Sequence, residues 1–578
     1  MYNTPMKKPR PLPLGSQTFS YIIEQNAVYV DKTPFLYELI SGTVNKYFLS
    51  RPRRFGKSLT ISTLKGLFLG QKVLFKDLYI TKETNYDFPA FPVFHFDFSE
   101  IGHQTAAELS KILIDRILMQ ARRYGCTVDN TGSIPEVWGN TLQFFKQKQQ
   151  KIVILIDEYD KPILDHITNL PIAKENRDVL KSFYEIIKAN DESLRFVFIT
   201  GITKFSQMNV FSGMNNLTDI SLNPDYAALC GYTQDELETC FSDYLDVFAM
   251  QEHLDKPALL EKIKTWYNGF RFTKSPITVY NPYSTLSMLA AKTFQYHWFA
   301  TGTPTYLVQL IQQLNIDVQS IPKKLSINDT ASYNVDSLQV NLAALLFQTG
   351  YTTIVGVSSS GDTLLLDYPN LEVKEAFNQQ LIDMLARPQL SPAVTIDDLR
   401  EALYQNNLAE VFRIITLFFA KIPYDIQEGT ENYYQSLFYL IFTVIGTRIR
   451  AEVRTHHGRI DALVETETHV YVFEFKLLRN LNGKDSKALR SMSHVEGRPL
   501  GSRSEAASLV SASAEALGTQ SPEEKTPSPD AQRALAAAMA QIDSKDYALS
   551  FQDRGKTIVK VAVVFSVQER NIAAWMHT

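Results

Sequence analysis

The chain has 578 residues, with 58 Lys and Arg against 62 Asp and Glu, a net charge of −4, and 45% hydrophobic residues. The length excludes a single small module, and the near-neutral balance excludes wholesale electrostatic coating of nucleic acid, so such a partner must be argued from a local site. Three scattered cysteines, Cys126, Cys230 and Cys240, suit neither a disulfide framework nor a cysteine zinc site, and no apolar run approaches the ~20 residues that cross a bilayer. A reducing cytoplasm and no membrane partner are the expectations, since the basic start MYNTPMKKPRPLPLG lacks the apolar core of a secretory signal.

From residue 46 to 222, short apolar runs alternate with amphipathic stretches. The runs are 46–50, 91–98, 151–158, 194–201 and 217–222, rich in Val, Ile and Phe without polar alternation, as strands buried on both faces require. With helical patterns at 57–68 and 106–123 between them, they predict a parallel α/β sheet of about five strands.

The segment RPRRFGKSL (51–59) joins the first strand to the first of these helices. A helix N-terminus preceded by a tight loop surrounds anionic phosphates with backbone N–H groups. Gly56 permits close approach, Lys57 neutralises outer phosphates, and Ser58 ligates magnesium; Arg53 and Arg54 add charge, with Arg54 assigned to the nucleotide. Arg51 stands where the usual loop begins with glycine. A hundred residues on, KIVILIDEYD ends an apolar strand in Asp157 and Glu158, the residue types that hold magnesium and activate an attacking water. Thr200 closes FVFIT at the position of a terminal-phosphate sensor.

Beyond Cys230 the pattern turns helical, opening with a capping box at Thr233 and Glu236. Residues 351–369 read as two strands around a Ser/Gly turn, a small winged-helix-like unit if helices flank them. From 431 the order is a long helix (431–446), strands at 450–455, 459–465 and 470–476, a helix at 532–545 and a strand at 557–565. Residues 481–530 hold ten Ser, four Pro and no Ile, Phe, Tyr or Trp, a disordered composition.

In VYVFEFK, Glu474 and Lys476 share one strand face while Tyr471, Phe473 and Phe475 take the other. A tight turn at Glu467 and Thr468 sets Asp461 opposite Glu474. Facing carboxylates repel, which implies a cation between them, and hard oxygen ligands suit Mg2+ or Mn2+. Lys476 then orients water or stabilises a phosphorane, with Glu452 and Gln541 as further members of the site. Adjacent His456 and His457 point to opposite strand faces and make poor joint ligands.

These segments, together with YVDKTPFLYELI (29–40), WYNGFRF (266–272), VYNPYS (279–284) and YPNLEVKEAF (368–377), resemble bacterial proteins that join an AAA-ATPase-like domain to a PD-(D/E)xK nuclease-superfamily domain. The resemblance implies a P-loop core over 1–230, a helical connector over 231–428 and a restriction-endonuclease-like fold over 429–578. It implies ATP at Gly56, Lys57, Ser58, Asp157 and Glu158, and a metal at Asp461 and Glu474 beside Lys476. The insertion at 481–530 departs from the family pattern. Three functions compete: an ATP-regulated Mg2+-dependent nuclease on DNA or RNA, a nucleotide-operated signalling switch whose nuclease-like fold only binds, and a scaffold. A homo-oligomer is compatible with P-loop assembly.

Overall fold

The computed structural model describes residues 9–128, 132–167, 169–204, 217–298, 323–328, 330, 333–334, 339–377, 392–420, 434, 438, 441–442, 448–455, 458–466, 468–478, 527–544 and 555–578. The chain forms two compact units, Met1–Phe377 and Asn378–Thr578.

The first unit is built on strands β1 (Lys46–Ser50), β2 (Val93–Asp97), β3 (Ile152–Asp157), β4 (Leu194–Gly201) and β5 (Thr218–Asp219), all parallel, in the order β2-β3-β4-β1-β5. Every residue of β1 and β3 is buried, the condition that unalternating apolar runs satisfy. Helices Lys57–Phe68, Ala106–Arg122, Ile134–Gln147 and Leu170–Ala189 are the crossovers, and Trp138 stacks on Phe183 among Phe94 and Phe96 in the core between them. Because β4 lies between β1 and β3, with Leu49 beside Thr200 and Ile156 beside Ile199, the carboxyl ends of all three meet at one edge. Asp97 ends β2 next to Asp157.

The capping box forms: Thr233 Oγ1 accepts from the Glu236 amide and Glu236 accepts from the Thr233 amide. The helices that follow close a second core around Leu237, Phe241, Phe248, Ile263, Tyr267 and Leu289. Further on come β6 (Lys324–Ser326) and the short pair β7 (Tyr333–Asn334) and β8 (Gln339–Val340). Helix Leu342–Thr349 then leads into the expected hairpin of β9 (Thr353–Val357) and β10 (Thr363–Asp367), to which β6 adds a third strand.

The second unit holds β11 (Arg448–Thr455), β12 (Gly458–Glu465), β13 (His469–Leu478), β14 (Thr557–Ser566) and β15 (Asn571–His577) in sequential order. Only β13 and β14 run parallel, which requires a crossover, and helix Pro529–Ser544 supplies it. Its residues Leu535, Ala538 and Ile542 cover Val470, Val472, Ala562 and Val564. The opposite sheet face packs Phe473 and Phe475 against Phe438.

Three expectations change. The helix starts at Pro529, not 532, because Ser528 caps it, its Oγ accepting from the Ala531 amide; residues 527–530 are thus ordered, and 479–526 lie outside the described residues. A fifth strand, β15, extends the sheet. Helices Pro392–Tyr404 and Leu408–Ala420, expected in a connector ending at 428, belong to the second unit: Phe412 stacks on Trp575 at 4.5 Å, and the Tyr471 hydroxyl donates to Asn406. Most of 431–446, with His456 and His457, lies outside the described residues.

Candidate functional site

The loop after β1 turns into helix Lys57–Phe68 through Gly56, whose φ of 92° at the N-cap is left-handed and favours glycine. Lys57 is buried, and its Nζ donates to the carbonyls of Arg51 and Pro52 at 2.9 Å each, closing the loop on itself. Burial pushes the Lys57 ammonium down in pKa, and Asp157, Glu158 and Asp160 oppose the shift. Ser58 follows at the second helical position.

Arg51 does not substitute for a turn glycine by function. Its guanidinium is buried, donating to the carbonyls of Ser50, Ser221 and Tyr226 at 2.8, 2.8 and 3.3 Å, with the Phe272 ring at 4.6 Å. It braces the loop's start against the segment after β5. Burial lowers its pKa to about 10, so it stays charged at neutral pH. Arg54 is a non-glycine residue at φ 64°, and its guanidinium lies over the Tyr283 ring at 3.8 Å.

Asp157 is buried at the end of β3, where its Oδ1 accepts from the Thr200 hydroxyl and, at 3.1 Å, from the Glu158 amide. Thr200, expected as a phosphate sensor, is itself wholly buried and turned toward Asp157. Glu158 takes a left-handed φ of 52°, and burial raises its carboxyl pKa against the pull of Lys57. Asp160, which the sequence reading passed over, accepts from the amides of Ile202 and Thr203 and from the Thr203 hydroxyl, tying the turn after β3 to the end of β4. The run of acids in IDEYD was the signal for it. Beside Gly56 and Thr60 lies a small cavity of about 60 Å³, bounded also by Tyr29, Lys32, Cys230 and Tyr232.

In the second unit, Ala462 pairs with Phe473 and Leu463 with Val472, the register that turn counting predicts; the same register carried one residue past the last pair sets Asp461 opposite Glu474. An Asp461 carboxylate oxygen accepts from the Phe475 amide at 2.8 Å. Glu474 is 1% exposed on the face beneath helix Pro529–Ser544. Lys476 Nζ bridges Glu474 Oε1 at 2.9 Å and Gln541 Oε1 at 3.0 Å. Pairs Ala451 with Ala462 and Val453 with Ile460 put the backbone of Glu452 at the register position opposite Asp461. Among the described residues no group of three or more His, Cys, Asp or Glu is set to hold a metal ion. Asp461 and Glu474 would offer hard carboxylate oxygens to a divalent cation, while Lys476 already faces Glu474 with positive charge.

The fold and sites define a P-loop ATPase-like α/β unit followed by a nuclease-like α/β unit. The family model for a predicted AAA-ATPase matches residues 13–211, and that of the PD-(D/E)XK nuclease superfamily matches 429–508. An uncharacterized protein encoded in the vnfD 5' region of Azotobacter chroococcum mcd 1 is 36% identical over 478 residues, 81% of this chain and 89% of that protein. The chain belongs to this family, in which an AAA-ATPase-like domain is joined to a PD-(D/E)XK nuclease-superfamily domain. Two solved structures are similar at 11% identity. They are Cdc6p from Pyrobaculum aerophilum, covering 77% of this chain and 90% of that one with a TM-score of 0.26, and the Aeropyrum pernix ORC2 protein, covering 61% and 92% with a TM-score of 0.24.

Among the described residues no helix is long and apolar enough to cross a membrane.

Proposed function

We propose that the first unit binds MgATP and that the second hydrolyses phosphodiester bonds of nucleic acid under nucleotide control. The observation that carries the second half is the convergence of Asp461, Glu474, Lys476 and Gln541 on one face of the sheet. Asp461 and Glu474 would hold Mg2+, which supplies an activated water and offsets charge on the scissile phosphate. Lys476, tethered between Glu474 and Gln541, presents its ammonium to that water or to a phosphate oxygen. In the first unit, backbone amides at Gly56 to Ser58 and the Lys57 ammonium receive the phosphates. Ser58 and Asp157 would hold the metal. Glu158, its pKa raised by burial, is suited to accept a proton from water. DNA or RNA is the partner, met at a local groove because the chain carries no net positive field. The cytoplasm is the proposed compartment, and a homo-oligomer is compatible with this reading.

The test is cleavage of plasmid, single-stranded DNA and RNA by the full chain with Mg2+, with and without ATP. Activity lost in Glu474→Ala supports the reading; equal cutting by that variant sinks it.

The Arg51 brace and the self-closed loop also favour a second reading, a switch that binds ATP with little turnover. A rapid steady-state ATPase rate would count against the switch.

A further inference from the structure

The motif VYNPYS and Trp298 lie outside both proposed sites yet reach the phosphate loop, and the motif YPNLEVKEAF reaches them from behind. Tyr283 lays its ring against the Arg54 guanidinium at 3.8 Å, and Trp298 Nε1 donates to the Arg53 carbonyl at 3.1 Å. Both are held from behind by Glu372, a wholly buried carboxylate. One of its oxygens accepts from the Ser284 hydroxyl and the other from the Trp298 amide, each at 2.8 Å. Ser284 follows Tyr283 directly in the first turn of helix Pro282–Ala291, so Glu372 fixes the two contacts together.

The loop has reason to need holding. Arg54 sits at φ 64°, a conformation that strains a non-glycine residue and persists only where neighbours over-determine it. Its Nη1 is buried and has no hydrogen-bond partner among the described residues, a donor turned inward without an acceptor. Stacking on an aromatic face satisfies the cation but leaves N–H donors in the guanidinium plane available to an anion.

We propose that Tyr283 and Trp298 are positioning residues of the phosphate loop, holding Arg54 in its left-handed conformation so that its guanidinium joins Lys57 in receiving the phosphates of a nucleoside triphosphate. This rests on the nucleotide reading above and goes beyond it by assigning the middle segment a direct part in phosphate binding.

The experiment is calorimetric titration of the full chain with MgATP, with thermal unfolding of each variant as a fold check. Tyr283→Ala is expected to weaken binding about tenfold and Tyr283→Phe, which keeps the ring, by no more than about threefold. Arg54→Gly, which suits the backbone conformation and removes the guanidinium, is expected to lose a similar factor. The double variant should lose little more than either single change, because both remove one interaction. Trp298→Phe, which removes the donor to Arg53 together with part of a buried ring, should weaken binding several-fold in a chain whose thermal unfolding shows it still folded. Losses that multiply in the double variant, or wild-type affinity in Tyr283→Ala while Lys57→Ala fails to bind, would overturn the inference and leave the nucleotide reading intact. A wild-type chain that does not bind MgATP at all overturns both.

Discussion

Glu372 carries a stability cost that can be measured directly. Its carboxyl is 0% exposed, and burial raises its pKa from the ordinary 4.5 to about 7, although hydrogen bonds from the Trp298 amide and Ser284 hydroxyl oppose the rise. In the unfolded chain the group titrates near its ordinary value. The native state therefore holds the proton more tightly, so unfolding free energy falls as pH rises from about 4.5 to about 7 and levels off above that. The separation amounts to about 3 kcal/mol at ~1.36 kcal/mol per pH unit. Glu372→Gln has the same shape, still accepts from the Trp298 amide, can donate to Ser284 Oγ, and carries no charge to desolvate. Urea unfolding of both proteins between pH 5 and pH 8, followed by tryptophan fluorescence because Trp298 touches the site, reads the difference. The variant's advantage should grow by about 2.5 kcal/mol between pH 5 and pH 8. Parallel pH profiles would refute the reasoning, since they would mean that Glu372 is not titrating against burial.

Arg51→Gly restores the usual loop glycine but orphans three carbonyls, so we expect a destabilisation of about 3 kcal/mol or more and no gain in ATP turnover, checked by melting and steady-state ATPase assays. Gln541→Ala leaves the metal ligands alone and frees one side of Lys476. Initial cleavage rates should fall about tenfold with Mg2+ affinity unchanged, against complete loss in Glu474→Ala. Asp461→Ala removes both a proposed ligand and the acceptor of the Phe475 amide, costing about 1–3 kcal/mol in the second unit's unfolding as well as metal binding by titration. Gly269 has φ 100°, and a Cβ there would stand 2.0 Å from the Pro369 carbonyl oxygen. Gly269→Ala is thus expected to lower the first unit's melting temperature severely, by about 3 kcal/mol or more of stability.

Much of the architecture was legible because it follows from local chemistry. Strands β1 and β3 announce themselves as unalternating apolar runs, and Gly56 marks the left-handed turn from strand into helix. The hairpin register was readable too, since a tight turn leaves one pairing and a slip would expose every core side chain. Other features carried no local mark. The amphipathic pattern of Leu408–Ala420 says that one face is covered but not that Trp575 covers it. Ser528 looked like one more serine in a Ser-rich stretch until the helix behind it gave its hydroxyl an amide to cap.

By itself, then, the sequence determined the two α/β units, the phosphate loop and the acidic pair with its lysine, because periodicity, turn counting and residue chemistry act over a few positions. Tertiary structure alone decided what Arg51, Tyr283, Trp298 and Glu372 do. Arg51 braces against Ser221 and Tyr226, and Trp298 reaches Arg53 from 245 residues away. Such pairings depend on which distant backbone comes to lie within a side chain's reach, and in a chain this long many placements satisfy the same local pattern. Only the packed core selects one, by burying a charge where it must find its partner.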